Sequence, residues 1–219
     1  MELDAIYSYL PLYGEAFVLT IKIGWIGILI ALVLGIVAAF ILHFRVPVLS
    51  AIVKVYVELY RNTPLLVQLF FIYFGLPKVG IVVSAESCGA IGLGLLGGSY
   101  MAEAFRSGLS AVPFSQTESS LALGMNKRQM FGLIILPQAF ASSVPAVVAN
   151  IIFLLKETSV FSAISLMDLM FTAKDLIGLY YKTNECLVLL VIFYIIMLLP
   201  VSMLGTWVEK KARWSIFGD

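Results

Sequence analysis

Long apolar runs separated by short polar punctuation make up almost the whole chain. Residues 23–42 carry no charge and are numerous enough to form a helix across a hydrocarbon core of ~30 Å. Four further runs follow, at residues 46–76, 81–109, 138–155 and 186–208. The pattern predicts an all-α membrane protein, one domain over residues 1–219, with about five transmembrane helices.

The positions that interrupt each run refine this picture. Gly27, Ala31, Gly35 and Ala39 recur every four residues and predict a face on which another helix packs closely. In the second run Lys54, Glu58 and Arg61 fall on one helical stripe, expected to be mainly structural and to face protein or headgroups. Pro64 then predicts a kink or break, and Gln68 is the polar residue in the apolar stretch beyond it. The third run is rich in glycine. Its Gly92-x-Gly94-x-x-Gly97 has the spacing of a dinucleotide fingerprint but no strand–turn–helix setting, so close helix packing through Gly94 and Gly98 is the better account. Glu103 and Arg106 near its end are spaced to pair. The fourth run is broken by Ser142, Ser143, Pro145 and Asn150 and ends at Lys156-Glu157-Thr158; residues 159–185 read as a connecting segment.

Composition supports the membrane independently. Hydrophobic residues are 61% and charged residues 12% of the chain, where a soluble domain is about a quarter charged. The net charge of +1 implies no attraction to nucleic acid. Glu2 and Asp4 precede any lysine or arginine, which argues against a cleaved signal peptide. Cys88 and Cys186 lack metal-ligand spacing and read as two free thiols, a disulfide requiring that both face an oxidising side; no metal site is expected. His43, just past the first run, reads as a solvated loop residue.

Loop charges set the orientation. With the N-terminus outside and the C-terminus in the cytoplasm, Arg45, Arg106, Lys127, Arg128, Lys210, Lys211 and Arg213 lie inside. Lys78, Lys174 and Lys182 lie outside, among Glu2, Asp4, Glu15, Glu86, Asp168, Asp175 and Glu185. This satisfies the positive-inside rule and puts residues 118–137 in the cytoplasm.

That segment reads Glu118-Ser119-Ser120, with Gly124, Ile134, Leu136 and Pro137 following. It resembles the cytoplasmic "EAA" loop of the integral membrane subunits of ABC importers, with serines in place of both alanines. Tyr60 to Gln68 (YRNTPLLVQ), the ILPQA ending at Ala139, and Leu155-Lys156-Glu157-Thr158-Ser159 also resemble stretches of the polar amino acid permeases, the histidine/glutamate/glutamine/arginine branch. The resemblance covers almost the whole chain. It implies the type I ABC importer permease fold in a bacterial plasma membrane. It also implies two ABC ATPase subunits, a second permease subunit, identical or homologous, and an extracytoplasmic amino-acid-binding protein. ATP and magnesium would sit on the ATPase, since this chain has no phosphate-binding G-x-x-x-x-G-K-[ST] and is not expected to be an enzyme.

Within the coupling loop of about 114–137, residues 118–129 are expected to form the docking helix. Glu118 would sit near its positive end, Ser119 and Ser120 would keep the contact small, and Gly124 would permit a turn or tight packing. Lys127 and Arg128 would face acidic groups on the ATPase or anionic lipid, or simply supply inside charge, and Pro137 would mark where loop becomes span. For the substrate path the candidates are Gln68, Asn150 and Glu157, the last two on one face of the fourth helix. Asn150 could equally bond a neighbouring helix. An ion-coupled secondary transporter is the alternative, but it wants a carboxylate deep in a span, and the first, fourth and fifth runs offer none. A membrane enzyme would want a nucleophile–base constellation that these runs also lack.

Overall fold

The computed structural model describes residues 3–217; Glu2 and the side chain of Arg213, both used in the charge argument, lie outside what is described. The chain is helical throughout: α1 Leu3–His43, α2 Leu49–Arg61, α3 Leu65–Phe70, α4 Ala85–Ala111, α5 Phe114–Ala122, α6 Lys127–Gln129, α7 Leu136–Glu157, α8 Leu169–Tyr180 and α9 Thr183–Phe217. Phe71–Gly75 and Met130–Ile135 are π-helical, and Leu76–Val79 and Thr158–Ile164 are 3-10 turns. By length and composition, three stretches among the described residues can each cross a membrane: Asp4–His43, Lys127–Ile164 and Thr183–Ala212.

Helix α4 is the axis of the bundle, and its glycines are the reason. A Cβ on Gly94 or Gly98 would collide with Ile30 or Leu34 of α1, and one on Gly97 with Leu154 of α7. The α1 stripe does the reciprocal work, Gly27 against Leu93 and Gly35 against Met101. Contacts advance together along α1 and α4, so the two run parallel. Gly97–Leu154 and Gly108–Ser143 advance oppositely, so α7 is antiparallel. Gly205 against Val148 sets α9 on α7 in the same way. Ile23, Ile28, Leu69, Leu93, Leu154 and Phe161 form the central core.

The second run breaks where Pro64 predicts. Helix α2 ends at Arg61, Pro64 is extended at ψ 142°, and α3 restarts at Leu65. Residues 159–185, expected as a connector, contain α8. Asp168 caps it by accepting the Phe171 and Met170 N–H groups at 3.0 and 3.3 Å, and the Thr20 hydroxyl of α1 accepts the Leu169 N–H at 3.1 Å. Tyr13, Leu169, Ala173 and Cys186 build a second core there, closed by Tyr13 Oη donating to the Cys186 carbonyl at 2.7 Å. Both cysteines are free and buried. Helices α5 and α6 project at the opposite end.

Candidate functional site

Helix α5 begins earlier and ends sooner than the expected 118–129. Pro113, extended at ψ 142°, launches it at Phe114, so Glu118 sits in its middle, away from the positive end. The stop is Gly124 at φ +76°, the left-handed conformation that glycine adopts without steric cost. Its N–H donates to the Leu121 carbonyl at 2.9 Å and that of Met125 to Ser120 at 3.1 Å, the two bonds of a Schellman motif. Asn126 and Gln129 then form a reciprocal capping box, each bonding the other's backbone N–H at 3.0 Å. The segment is therefore a rigid elbow.

The two serines divide. Ser120 is buried and its hydroxyl donates to the Gln116 carbonyl at 2.6 Å, while Ser119 is exposed beside Glu118. Three residues that sequence reasoning passed over complete the outer face: Phe114, Leu121 and Leu123 are 73%, 54% and 81% exposed. Phe114, Glu118 and Leu121 share one helical face. Their signal was available, as apolar residues in the polar punctuation. Lys127 and Arg128 are exposed on α6, and a Cβ on Gly124 would meet nothing within 4 Å. Pro137 does not open a new helix. The helix runs on from Lys127, and the π-helical turn before Leu136 makes room for a ring that would otherwise strike the preceding turn.

The three path candidates do not converge. Gln68 is 8% exposed, and its Nε2 donates to the carbonyls of Tyr60 and Thr63 at 3.1 and 3.0 Å. The Tyr60 carbonyl is the one that Pro64, lacking an N–H, leaves without its helical donor, so Gln68 staples the break. Asn150 and Glu157 are half-buried on α7, with no side-chain hydrogen bond among the described residues.

A second charged group, Lys54 and Glu58 of the stripe read from sequence as mainly structural with the expected pair Glu103 and Arg106, lines a cavity of about 350 Å³ between α2 and α4, together with Leu42 and Val57. Arg106 forks onto Glu103, with Nη2–Oε2 at 2.6 Å and Nε–Oε1 at 3.1 Å. Arg61 approaches the same carboxylate at 4.0 Å and lies 5.6 Å over the Tyr100 ring. The walls carry both signs of charge, which suits a molecule bearing an ammonium and a carboxylate. A comparable cavity of about 380 Å³ between α7 and α9 is lined by Trp25, Phe140, Val144, Val148 and other largely apolar groups with Ser143, whose hydroxyl donates to the Phe140 carbonyl, and offers such a molecule no charged partner.

Residues 16–214 match the family model described as binding-protein-dependent transport system inner membrane component. The chain is 32% identical to a probable amino-acid permease protein, YxeN, of Bacillus subtilis (strain 168), over 96% of this chain and 95% of that one. It is 30% identical to the arginine transport system permease protein ArtQ of the same organism, over 97% and 98%. Among solved structures, an amino acid ABC transporter with histidines superposes at TM-score 0.90 with 29% identity, over 96% of this chain and 99% of that one. The methionine ABC transporter MetNI shares the fold at TM-score 0.76 and 20% identity, over 94% and 98%.

Proposed function

The chain belongs to the family of binding-protein-dependent transport system inner membrane components, and from that membership we propose that it is the permease subunit of an ATP-driven importer of an amino acid. The observation that carries the coupling is α5, a short helix held rigid at both ends with Phe114, Glu118 and Leu121 turned away from its own bundle. Exposed apolar residues on a polar loop fit a groove on a soluble partner better than they fit water. That partner is an ABC ATPase, present in two copies and carrying ATP and magnesium. A second permease subunit and an extracytoplasmic binding protein complete the assembly in a bacterial plasma membrane. The spans number five, counting α4 and the broken α2–α3 pair, with the N-terminus outside.

Glu118, Ser119 and Leu121 make the docking surface, Ser120 and Gly124 shape it, and Lys127 and Arg128 meet acidic groups beside it. Pro137 and the π-helical turn carry the motion into α7. When the ATPases close, the two elbows approach and the spans swing as rigid bodies. The amino acid passes along α4. Glu103, Glu157 and Asn150 supply partners for its ammonium, Arg61 and Lys54 for its carboxylate, and Gln68 holds open the broken helix from which Arg61 projects.

The test uses Gly124→Arg. Space around Gly124 is open, so the new side chain extends outward, and its left-handed backbone costs only about 1–2 kcal/mol. The variant should fold, as judged by a monodisperse elution profile, yet lose co-elution with the ATPase and the ATP hydrolysis that depends on it. Wild type that binds no ATPase, or a variant that binds as well, would overturn the docking assignment.

A further inference from the structure

Four rings meet where the coupling elbow passes the end of α1. Phe131, in the π-helical turn after α6, lies with its ring centroid 5.1 Å from Phe44, 5.7 Å from His43 and 6.2 Å from Phe40. His43 is 5.1 Å from Phe44, and Phe40 stacks on Phe44 at 6.2 Å. The histidine expected as a solvated loop residue is thus part of an aromatic cluster, though its outer side is exposed. Such separations lie within the range where aromatic pairs attract beyond simple burial.

The position of the cluster gives it a role. The elbow is joined covalently to α4 and α7, since α5 and α6 lie between them in the chain, but α1 has no such link. Motion of the elbow reaches α1 across side chains. Beyond Phe44 the chain turns tightly into α2, with Arg45 at φ 50° and Val48 at φ 65°, conformations that side chains hold only where their surroundings over-determine them. The Ser50 hydroxyl donates to the Ile41 carbonyl at 3.0 Å and the Val46 N–H to the same carbonyl at 3.2 Å, tying that turn to α1. A push on the end of α1 is therefore passed to α2, the helix that carries Lys54 and Glu58 to the charged cavity and Arg61 towards Glu103 in its wall.

We propose that Phe131 is the residue through which the coupling elbow moves α1, and through the tied turn at 44–48, α2 with its charged wall. The assignment rests on the importer reading above, and it makes Phe131 a positioning residue that touches neither nucleotide nor substrate.

The experiment reconstitutes the permease with its ATPase and binding protein in proteoliposomes. It measures radiolabelled arginine, glutamine and histidine taken up per ATP hydrolysed, alongside co-elution in detergent. Phe131→Leu should keep co-elution and basal hydrolysis while uptake per ATP falls by about threefold to tenfold. Phe44→Leu, on the far side of the contact, should do the same and serves if the first variant folds poorly. Phe131→Tyr keeps the ring and should stay near wild type. Leu133→Ala, at a 67% exposed position in the same turn, should change little. Unchanged uptake per ATP in both leucine variants, or an equal loss in Leu133→Ala, overturns the proposal. Loss of co-elution in Phe131→Leu also overturns it, making Phe131 part of the docking face. Wild type that fails to bind the ATPase removes the importer reading itself, and this assignment with it.

Discussion

Asp168→Asn should remove one large pH-dependent contribution to the stability of this fold. Asp168 is fully buried at the start of α8. Burial pushes its carboxyl up from an ordinary value of 3.8 to about 7, against the pull of the backbone N–H groups of Phe171, Met170 and Asp168 itself and of Lys174. The folded chain therefore keeps a proton that the unfolded chain has already released. Stability from this group is complete below pH ~4 and is lost as pH rises towards 7, the reverse of a salt-bridged carboxylate. Between pH 5 and pH 8 the loss amounts to about 2–3 kcal/mol. For a chain of this length that is roughly 5–10 °C in the unfolding midpoint. Asparagine caps helices about as well as aspartate, so the variant keeps the N-cap and loses the titration. Thermal unfolding of both proteins in the same detergent at several pH values reads the difference. Parallel pH profiles for wild type and variant would refute the reasoning, as would a wild type that gains stability from pH 5 to 8 relative to the variant.

Two further outcomes test the packing and the path. Gly35→Leu drives a side chain into the backbone and Cβ of Met101, so it should cost about 3 kcal/mol or more, while Gly14→Leu on the same helix meets open space and should leave the unfolding midpoint nearly unchanged. Equal effects of the two would mean that the α1–α4 contact is not close-packed. Glu157→Gln should raise the substrate concentration for half-maximal uptake by about tenfold or more through loss of a charge-assisted contact, without changing co-elution with the ATPase; an unchanged half-maximal concentration would take Glu157 off the path.

What could be read in advance was local. The small-residue stripe of α1, the break at Pro64 and the packing glycines of α4 each depend on spacing within one helix, and each has its expected place in the fold. The match of residues 118–137 and the resemblance of the whole chain to amino-acid ABC permeases are likewise carried by contiguous residues. The docking helix was legible in place but not in extent: the expected 118–129 runs through Gly124, whose left-handed φ of +76° ends it, and starts after Pro113, which launches it at Phe114. Helix α8 was missed. Asp168 before Leu169 and Met170 is an N-cap signal, obscured by counting it as one of several loop charges. The charged cavity was not legible at all. Lys54, Glu58 and Arg61 are one stripe, Glu103 and Arg106 another, and only the close passage of α2 against the glycines of α4 joins them. His43 could not be placed either, because its ring partner Phe131 lies far along the chain.

The stretch Arg61 to Gln68 shows why a resemblance in sequence can have a physical cause. A broken helix bares carbonyls, and each one left buried without a partner costs up to several kcal/mol. Here Thr63 and Gln68 bond carbonyls that the break leaves without a helical donor, while Asn62 adds a second bond to the Glu58 carbonyl, which its own N–H already reaches at 3.2 Å. Asn62 Nδ2 donates to the Glu58 carbonyl at 2.7 Å, Thr63 Oγ1 to Leu59 at 2.6 Å, and Gln68 to both Tyr60 and Thr63. Proline makes the break, and threonine and glutamine make it tolerable. Arg61 alone is left to point away, over Tyr100 and towards Glu103. The order Arg-Asn-Thr-Pro followed by Gln is thus a device for holding one cation at the end of a half-helix, within reach of the Glu103 carboxylate. Substituting Thr63 or Gln68 by an apolar residue would leave the proline in place while unmaking the geometry that presents Arg61. Their effect on transport would then follow from the backbone, although neither needs to touch the substrate.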